Sequence, residues 1–160
     1  MSGLRFSLAQ LNPTLGDLDG NIALIDQAAR AAHADRADFV IFSELTLTAY
    51  APGDILQESD FLARCAQAIN ALCEATRQTP GLYWVIGAPT RRADDASVVE
   101  NSLLVLRDGQ VVLIYAKQAL STMPIADERR YFSPGYQAAP TLCVQGTTIG
   151  FLIGDEAIAS

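Results

Sequence analysis

Two residues that could act together in acid–base chemistry, Glu44 and Lys117, each follow a short apolar segment. Glu44 comes two residues after Phe39–Phe42, a β-branched and aromatic run that predicts a strand buried on both faces. Ligands bind beyond the carboxyl ends of the strands in open α/β sheets, so an acid there is better placed for chemistry than one on a helix flank. The alternative is that Glu44 caps a turn or pairs with a surface cation.

The elements predicted around Lys117 and Gly154 place these residues at strand ends as well. A hairpin around Asp108-Gly109, the strongest short hairpin signal in the chain, has a second arm that ends at Lys117. Another hairpin, around Gln145-Gly146, has a last strand over residues 148–153 that ends at Gly154. An acid, a lysine and a nucleophile at such strand ends would form a site for hydrolysing an unactivated carbon–nitrogen bond.

Two further strands and two helices complete the predicted architecture. Residues 4–11 and 82–87 are apolar runs typical of strands, and helices are predicted to begin at residues 19–21 and at Asp60. The order strand, helix, strand predicts a β-α-β unit with parallel neighbouring strands. Residues 91–97 are predicted to form a polar loop, and residues 118–136 a long irregular segment of the kind that is usually functional or disordered.

Composition excludes several classes of partner. The chain has 160 residues, half of them apolar, which suits a single domain with a sizeable core. A net charge of −7 would repel nucleic acid and anionic lipid heads, so neither is expected as a partner. No apolar run approaches the roughly 20 residues that a membrane span needs. We therefore predict a cytoplasmic protein with no membrane association.

The cysteines and the single histidine predict no metal site. Cys65, Cys73 and Cys143 lack metal-ligand spacing, and their odd number argues against a disulfide framework. Cys65 and Cys73 fall on the second predicted helix and are interpreted as small core residues. His33 ends the first predicted helix, where an interaction with the helix dipole is the expected role.

Five groups of short motifs occur in order along the chain: residues 8–17 with Gly20-Asn21, residues 43–45 with Tyr50, Asn101-Ser102, residues 115–118 and residues 127–135. Each motif alone is weak, but together they cover nearly the whole chain. In order and spacing they resemble the nitrilase superfamily of carbon–nitrogen hydrolases, and most of all the N-terminal glutamine-hydrolysing domain of glutamine-dependent NAD synthetases.

The resemblance implies a fold, a reaction and a set of roles. The fold is α/β, a nitrilase-like αββα sandwich of which only the N-terminal part is present. The family uses a Glu-Lys-Cys triad in which a cysteine thiolate attacks an amide and releases ammonia. Glu44 would take the thiol proton and pass it to the leaving amine, and Lys117 would stabilise the oxyanion. The alternative for Lys117 is a surface salt bridge.

Two more residues match family positions. Glu128 matches a second acid near the triad that would orient Lys117 and the base, although an ordinary loop charge is the alternative. Tyr50 matches an aromatic residue that lines the family's pocket and would contact substrate, although a core tyrosine is equally compatible with the sequence.

The sequence departs from the family at the nucleophile. The family has Cys-Glu-Asp after the strand, whereas this chain has Gly154-Asp155-Glu156. Glycine cannot attack a carbonyl, and removing the nucleophile of a covalent triad costs on the order of a millionfold in turnover. Cys143 is expected to lie about six residues of strand away, roughly 20 Å, and so cannot easily replace it.

A second departure is length. Residues 1–160 are interpreted as one carbon–nitrogen hydrolase-like domain that is truncated at its C-terminus relative to the family. The chain has no Walker or Gly-x-Gly-x-x-Gly motif and no Ser-Gly-Gly pyrophosphate loop. We therefore expect no synthetase domain, no bound ATP and no other cofactor.

Two functional hypotheses follow. In the first, the chain is a glutamine amidase domain that is catalytically impaired because Gly154 replaces the cysteine. In the second, it is a non-catalytic pseudo-amidase that binds a small amide or a protein partner. Glutamine is the expected small-molecule ligand in both, and exposed sheet surfaces predict a homo-oligomer or a partner subunit.

Overall fold

A five-stranded mixed sheet forms the centre of the computed structural model, which describes residues 3–58, 60–123 and 126–157. The strands lie in sequence order: β1 (Phe6–Ala9), β2 (Phe39–Phe42), β3 (Tyr83–Arg91), β4 (Val99–Arg107) and β5 (Gln110–Ala116). β1, β2 and β3 are parallel, whereas β4 and β5 are each antiparallel to the preceding strand. β2 and β5 therefore point the same way, and their carboxyl ends lie at the same end of the sheet.

Two helices pack on one face of this sheet. α1 (Leu18–Ala34) connects β1 to β2, and α2 (Phe61–Ala75) connects β2 to β3, as right-handed crossovers require when successive strands are added in one direction. Their buried side chains share a hydrophobic core with Trp84 of β3 and Leu104 of β4. The predicted parallel β-α-β unit is confirmed. No helix within the described ranges is long and apolar enough to cross a bilayer.

The start of α1 is tied to the loop that carries Glu44. Asp17 caps the helix by accepting a hydrogen bond from the Gly20 amide at 3.0 Å. A Cβ at Gly20 would lie 2.2 Å from the Asp17 carboxylate, so any larger residue at this position would require the capping side chain to shift. The buried Asn21 side chain donates to the Leu47 carbonyl at 3.0 Å. The Gly20-Asn21 motif therefore has a structural explanation.

The segments predicted to be irregular contain more structure than expected. β3 continues to Arg91, the first residue of the predicted polar loop. Two-residue strands, β6 (Thr122–Met123) and β7 (Ala126–Asp127), pair within the 118–136 segment, and a 3-10 helix follows at Glu128–Arg130. Runs of two or three residues carry no periodicity, which is why the sequence pattern could not reveal them.

The opposite face of the sheet is partly covered by a hairpin of β8 (Thr141–Val144) and β9 (Thr147–Gly150). Val144 of β8 and Phe151, which follows β9, pack against sheet residues that include Phe39 and Val105. The predicted hairpin is confirmed, but its last strand is shorter than predicted. β9 ends at Gly150 rather than at Gly154. The Phe151 amide still donates to the carbonyl of Pro140, its partner in the hairpin register, but Pro140 has no N–H with which to return the second bond of that pair.

Candidate active site

Glu44 and Lys117 lie close together at the end of the sheet where β2 and β5 have their carboxyl ends. Glu44 lies two residues beyond the end of β2, and Lys117 directly follows β5. The Lys117 amide donates to the Asn101 carbonyl of β4 at 2.8 Å, so its backbone continues the strand ladder. The lysine is thus held by the sheet itself, while Glu44 extends from a loop.

A close approach between that loop and β3 determines where Glu44 lies. The backbone of residues 43–45 crosses directly over Gly87, and a Cβ there would be 2.3 Å from the Leu45 nitrogen. The Leu47 amide also donates to the Gly87 carbonyl at 3.1 Å. Only glycine allows two backbones to come this close. Gly87 is therefore required for the observed position of Glu44.

The Lys117 ammonium lies between two carboxylates. Its Nζ is 2.7 Å from Oε1 of Glu44, and 3.1 and 2.9 Å from Oε1 and Oε2 of Glu128. The side chains of Lys117 and Glu128 are 2% and 3% exposed, whereas that of Glu44 is 22% exposed. Glu128 is thus a buried structural partner of the lysine, and Glu44 is the carboxylate that solvent and a ligand can reach.

Hydrogen bonding outweighs burial in determining the protonation of the buried pair. Burial alone would lower the pKa of Lys117, but its hydrogen bonds to Glu44 and Glu128 raise the pKa above its usual value. Burial alone would raise the pKa of Glu128, because burial disfavours the charged form of either residue. The Ser121 amide, at 2.7 Å, and Lys117 together hold that pKa below its usual range. Lys117 is therefore a fixed cation and Glu128 a fixed anion at neutral pH.

Asn101 is a site residue to which the sequence reasoning assigned no role. Its side chain is fully buried and donates through Nδ2 to Glu44 at 2.7 Å and to Glu128 at 3.0 Å. It therefore helps to compensate two carboxylates that share one lysine. The available signal is an Asn-Ser pair within the apolar strand β4, which marks a polar side chain in a buried element but not its partners.

Gly154 faces both reactive groups. It has a φ of +55° and begins a 3-10 helix at Gly154–Ala157. A Cβ built on this residue would lie 2.8 Å from Oε2 of Glu44 and 3.3 Å from Nζ of Lys117. A side chain at position 154 would therefore point directly between the carboxylate and the ammonium.

Tyr50 lies at the mouth of this arrangement. It is 49% exposed, so it is not a core residue. It lines a cavity of about 350 Å³ together with Asn12, Ser43 and Glu44. Burial, followed by the charges of Glu128 and Glu44, raises the pKa of Tyr50, so its hydroxyl remains a donor at neutral pH. This cavity gives a small molecule access to Glu44.

The cysteines do not contribute a nucleophile to this arrangement. Cys143 is exposed in β8, opposite Thr148 of β9, while Cys65 and Cys73 are buried. Burial raises the pKa of the Cys65 thiol to about 11. Within the described ranges no group of three or more His, Cys, Asp or Glu side chains could hold a metal ion.

The geometry supports one kind of chemistry. Glu44 is a partly exposed base, and Lys117 is a buried cation within reach of the same point in space. Such a pair can take a proton from a nucleophile placed at position 154 and stabilise the negative charge that develops on an attacked carbonyl. At position 154 this chain has glycine, which carries no side chain.

Comparison with known proteins gives the context of this site. The profile of the family described as Carbon-nitrogen hydrolase matches residues 5–159. A glutamine-dependent NAD(+) synthetase of Thermotoga maritima is 36% identical over 135 residues, which are 84% of this chain and 23% of that protein. The chain thus spans about a quarter of the length of such relatives.

Solved structures share the fold. Glutamine-dependent NAD+ synthetase from Acinetobacter baumannii, in complex with adenosine diphosphate, has a TM-score of 0.86 and 26% identity, over 98% of this chain and 28% of that chain. An amidase from Nesterenkonia sp. has a TM-score of 0.81 and 25% identity, over 93% and 54%. A glutamate-to-leucine mutant of that amidase shows covalent addition of acetamide from fluoroacetamide at its active-site cysteine. A cysteine-to-alanine mutant was solved with butyramide.

Proposed function

The chain belongs to the carbon-nitrogen hydrolase family, and on that basis we propose that it carries a glutamine amidase site that is complete except for its nucleophile. Its relatives include glutamine-dependent NAD synthetases, which makes the side-chain amide of glutamine the first substrate to test. As it stands, the site is expected to bind the amide without hydrolysing it.

The observation that carries this proposal is the direction in which residue 154 points. In the family reaction a thiolate adds to the amide carbon, forming a carbon–sulfur bond and an oxyanion. The thiol proton passes through the carboxylate to the leaving amine, so that ammonia departs and a thioester remains, which water then hydrolyses. Here a Cβ at position 154 would lie 2.8 Å from Oε2 of Glu44 and 3.3 Å from Nζ of Lys117, so a side chain at this position would begin beside both groups once the flexible end of Glu44 has shifted slightly.

The same observation explains why turnover is not expected. Glycine contributes no atom that could attack, and loss of the nucleophile alone costs on the order of a millionfold in covalent-triad enzymes. The synthesis of NAD, which the relatives perform as longer chains, is not proposed for this chain.

A second candidate function is a pseudo-amidase that binds a small amide. The observation in its favour is that Lys117 and Asn101 each donate to both Glu44 and Glu128 in the absence of a nucleophile. The Nesterenkonia amidase offers a precedent, since its cysteine-to-alanine mutant was solved with butyramide. In this case the retained network would serve recognition rather than reaction.

Thermal unfolding with and without glutamine tests binding, and an ammonia assay tests turnover. A ligand that binds only the folded state at 100 times its dissociation constant adds about 2.7 kcal/mol of stability. We expect millimolar glutamine to raise the midpoint, Glu44→Gln to weaken that effect, and no ammonia to be released. Glutamate, which lacks the amide, serves as the control ligand. Ammonia release that survives thiol-blocking reagents would contradict the proposal, and the absence of any shift would contradict amide recognition.

A further inference from the structure

A second buried carboxylate, Glu156, lies two residues beyond Gly154 and takes no part in the proposed reaction. It belongs to the 3-10 helix that Gly154 begins, and its side chain is buried, with the residue only 7% exposed. Its carboxylate accepts hydrogen bonds from four groups: the Tyr115 hydroxyl and the amides of Gln118, Ala119 and Ile153. These donors come from the two segments that carry Lys117 and residue 154.

The two oxygens of Glu156 divide between those segments. Oε1 accepts from the Gln118 and Ala119 amides at 2.6 and 3.1 Å, and these amides directly follow Lys117. Oε2 accepts from the Ile153 amide at 2.9 Å, and this amide directly precedes Gly154. One rigid carboxylate group therefore spans the backbone next to the lysine and the backbone next to the nucleophile position.

The remaining donor anchors this bridge to the sheet. The Tyr115 hydroxyl lies 3.1 Å from both oxygens of Glu156, and Tyr115 is the residue of β5 two positions before Lys117. Burial, followed by the negative charge of Glu156, raises the pKa of Tyr115 to about 12, so its hydroxyl remains a donor. Charge-assisted hydrogen bonds of this kind are about twice as strong as neutral ones.

We propose that Glu156 is a positioning residue that sets the distance between residue 154 and Lys117. This inference rests on the proposed function, because it concerns the same nucleophile position. A glutamine in its place would offer one acceptor oxygen, and its NH₂ group would face an amide donor. The bridge to one of the two segments would then be lost, and residue 154 would no longer be held against the Glu44–Lys117 pair.

The test uses an introduced thiol as a reporter and needs no amide hydrolysis. Iodoacetamide alkylation at pH 6 is followed by peptide mass spectrometry in Gly154→Cys and in Gly154→Cys combined with Glu156→Gln. The exposed Cys143 of the same molecule is the internal reference. An unactivated thiol, with a pKa near 8.5, is well under about 1% thiolate at this pH. We expect the thiol at position 154 to react at least about tenfold faster than Cys143, because Glu44 can accept its proton and Lys117 can stabilise the thiolate.

Glu156→Gln is expected to reduce that ratio about tenfold, which corresponds to one pKa unit of lost thiol activation. Glu100→Gln is the matched control, since Glu100 is 8% exposed but pairs with Arg92 at 2.6 Å. The control should leave the ratio unchanged. A high ratio that Glu156→Gln does not alter would overturn the positioning role and leave the proposed function standing. A thiol at position 154 no faster than Cys143 in the Gly154→Cys parent would overturn both.

Tyr115→Phe covers the case in which Glu156→Gln does not fold. It removes only one of the four donors, so the ratio should fall in the same direction by a smaller factor. Circular dichroism of each variant checks that the fold is retained. A folded Tyr115→Phe variant with an unchanged ratio, alongside an unfolded Glu156→Gln variant, would show that Glu156 serves stability rather than position.

Discussion

Three charges share the centre of the candidate site, and their balance explains why neutral donors surround them. Glu44 and Glu128 carry two negative charges against one positive charge on Lys117. The amide of Asn101 and the backbone N–H of Ser121 supply the remaining compensation. Because a buried ion is costly unless it is paired, the loss of any member should affect the others.

Removal of the cation tests this balance. Lys117→Met leaves the two carboxylates facing each other with no counter-charge, and breaking a buried pair in this way costs about 3–5 kcal/mol. We expect a loss of this size in the free energy of unfolding, measured by urea denaturation at pH 7. Arg77→Met is the control because the Arg77–Glu74 pair is exposed, and it should change stability within experimental error. Equal effects of the two substitutions would contradict a buried, coupled network.

Glu128 should make the stability of the chain depend on pH. Its pKa in the folded state is below the unfolded value of about 4.3, so its contribution is complete above that value and is lost as the pH falls through the folded pKa. The difference in unfolding free energy between the chain and Glu128→Gln should therefore shrink between pH 6 and pH 3, at most by about 1.4 kcal/mol per pH unit. Lys117, with a raised pKa, loses its contribution only in alkaline solution. A difference that stays constant over this range would contradict the ion pairing described here.

At the level of secondary structure, the strands bring Glu44 and Lys117 together, and Gly87 allows the loop that carries Glu44 to cross β3. The carboxyl ends of β2 and β5 coincide because the strands point the same way, and Gly87 lets the loop of Glu44 cross β3. A Cβ at this position would meet backbone atoms rather than a flexible side chain. The loop itself would therefore have to move.

Gly87→Ala should consequently affect stability and ligand binding together. Overpacking of this kind typically costs about 1–3 kcal/mol, and the displaced Glu44 should reduce the stabilisation by glutamine. Gly150→Ala is the matched control, since a Cβ there would meet no atom within 4 Å and should change stability by no more than about 0.5 kcal/mol. Urea denaturation with and without glutamine measures both effects. An unaltered glutamine response in Gly87→Ala would show that the loop does not depend on this contact.

The sequence predicts those site residues that local patterns mark, and it does not predict those that depend on contacts between distant segments of the chain. Strand propensity and turn residues are local, so the sequence alone predicts Glu44 and Lys117 at strand ends. Only the family resemblance indicates Glu128, because nothing local distinguishes it from its neighbours in the 118–136 segment. Asn101, Gly87 and Glu156 act through contacts between segments distant in sequence, and no periodic pattern in the sequence marks these positions.

At the end of β9 the sequence pattern predicts more regular structure than the chain forms. Residues 148–153 are apolar enough for a strand, and the pattern alone extends the strand to Gly154. In the structure the Ile153 amide instead bonds to the buried Glu156, and Phe151 packs into the second hydrophobic cluster. Tertiary contacts therefore ended the strand earlier than its local propensity indicates.

At the scale of the whole molecule, the face of the sheet opposite the helices remains partly open. Phe6 and Leu8 of β1 are 46% and 77% exposed on that face. The expected oligomer or partner subunit stays a prediction, which sedimentation velocity at several concentrations can test. We expect self-association to increase with concentration and Leu8→Lys to reduce it, because a charge on an apolar face opposes association. A chain that is monomeric at all concentrations would contradict self-association.

Ammonia release from glutamine by Gly154→Cys tests the proposed site most directly. The positive φ at this position costs a non-glycine residue roughly 1–2 kcal/mol, and the flexible end of Glu44 can move to relieve the 2.8 Å contact. Gly154→Ala, which adds a Cβ without a thiol, is the control, and so is Gly154→Cys combined with Glu44→Gln. We expect Gly154→Cys alone to release ammonia. A folded Gly154→Cys variant that binds glutamine but releases none would contradict the claim that this site lacks only its nucleophile.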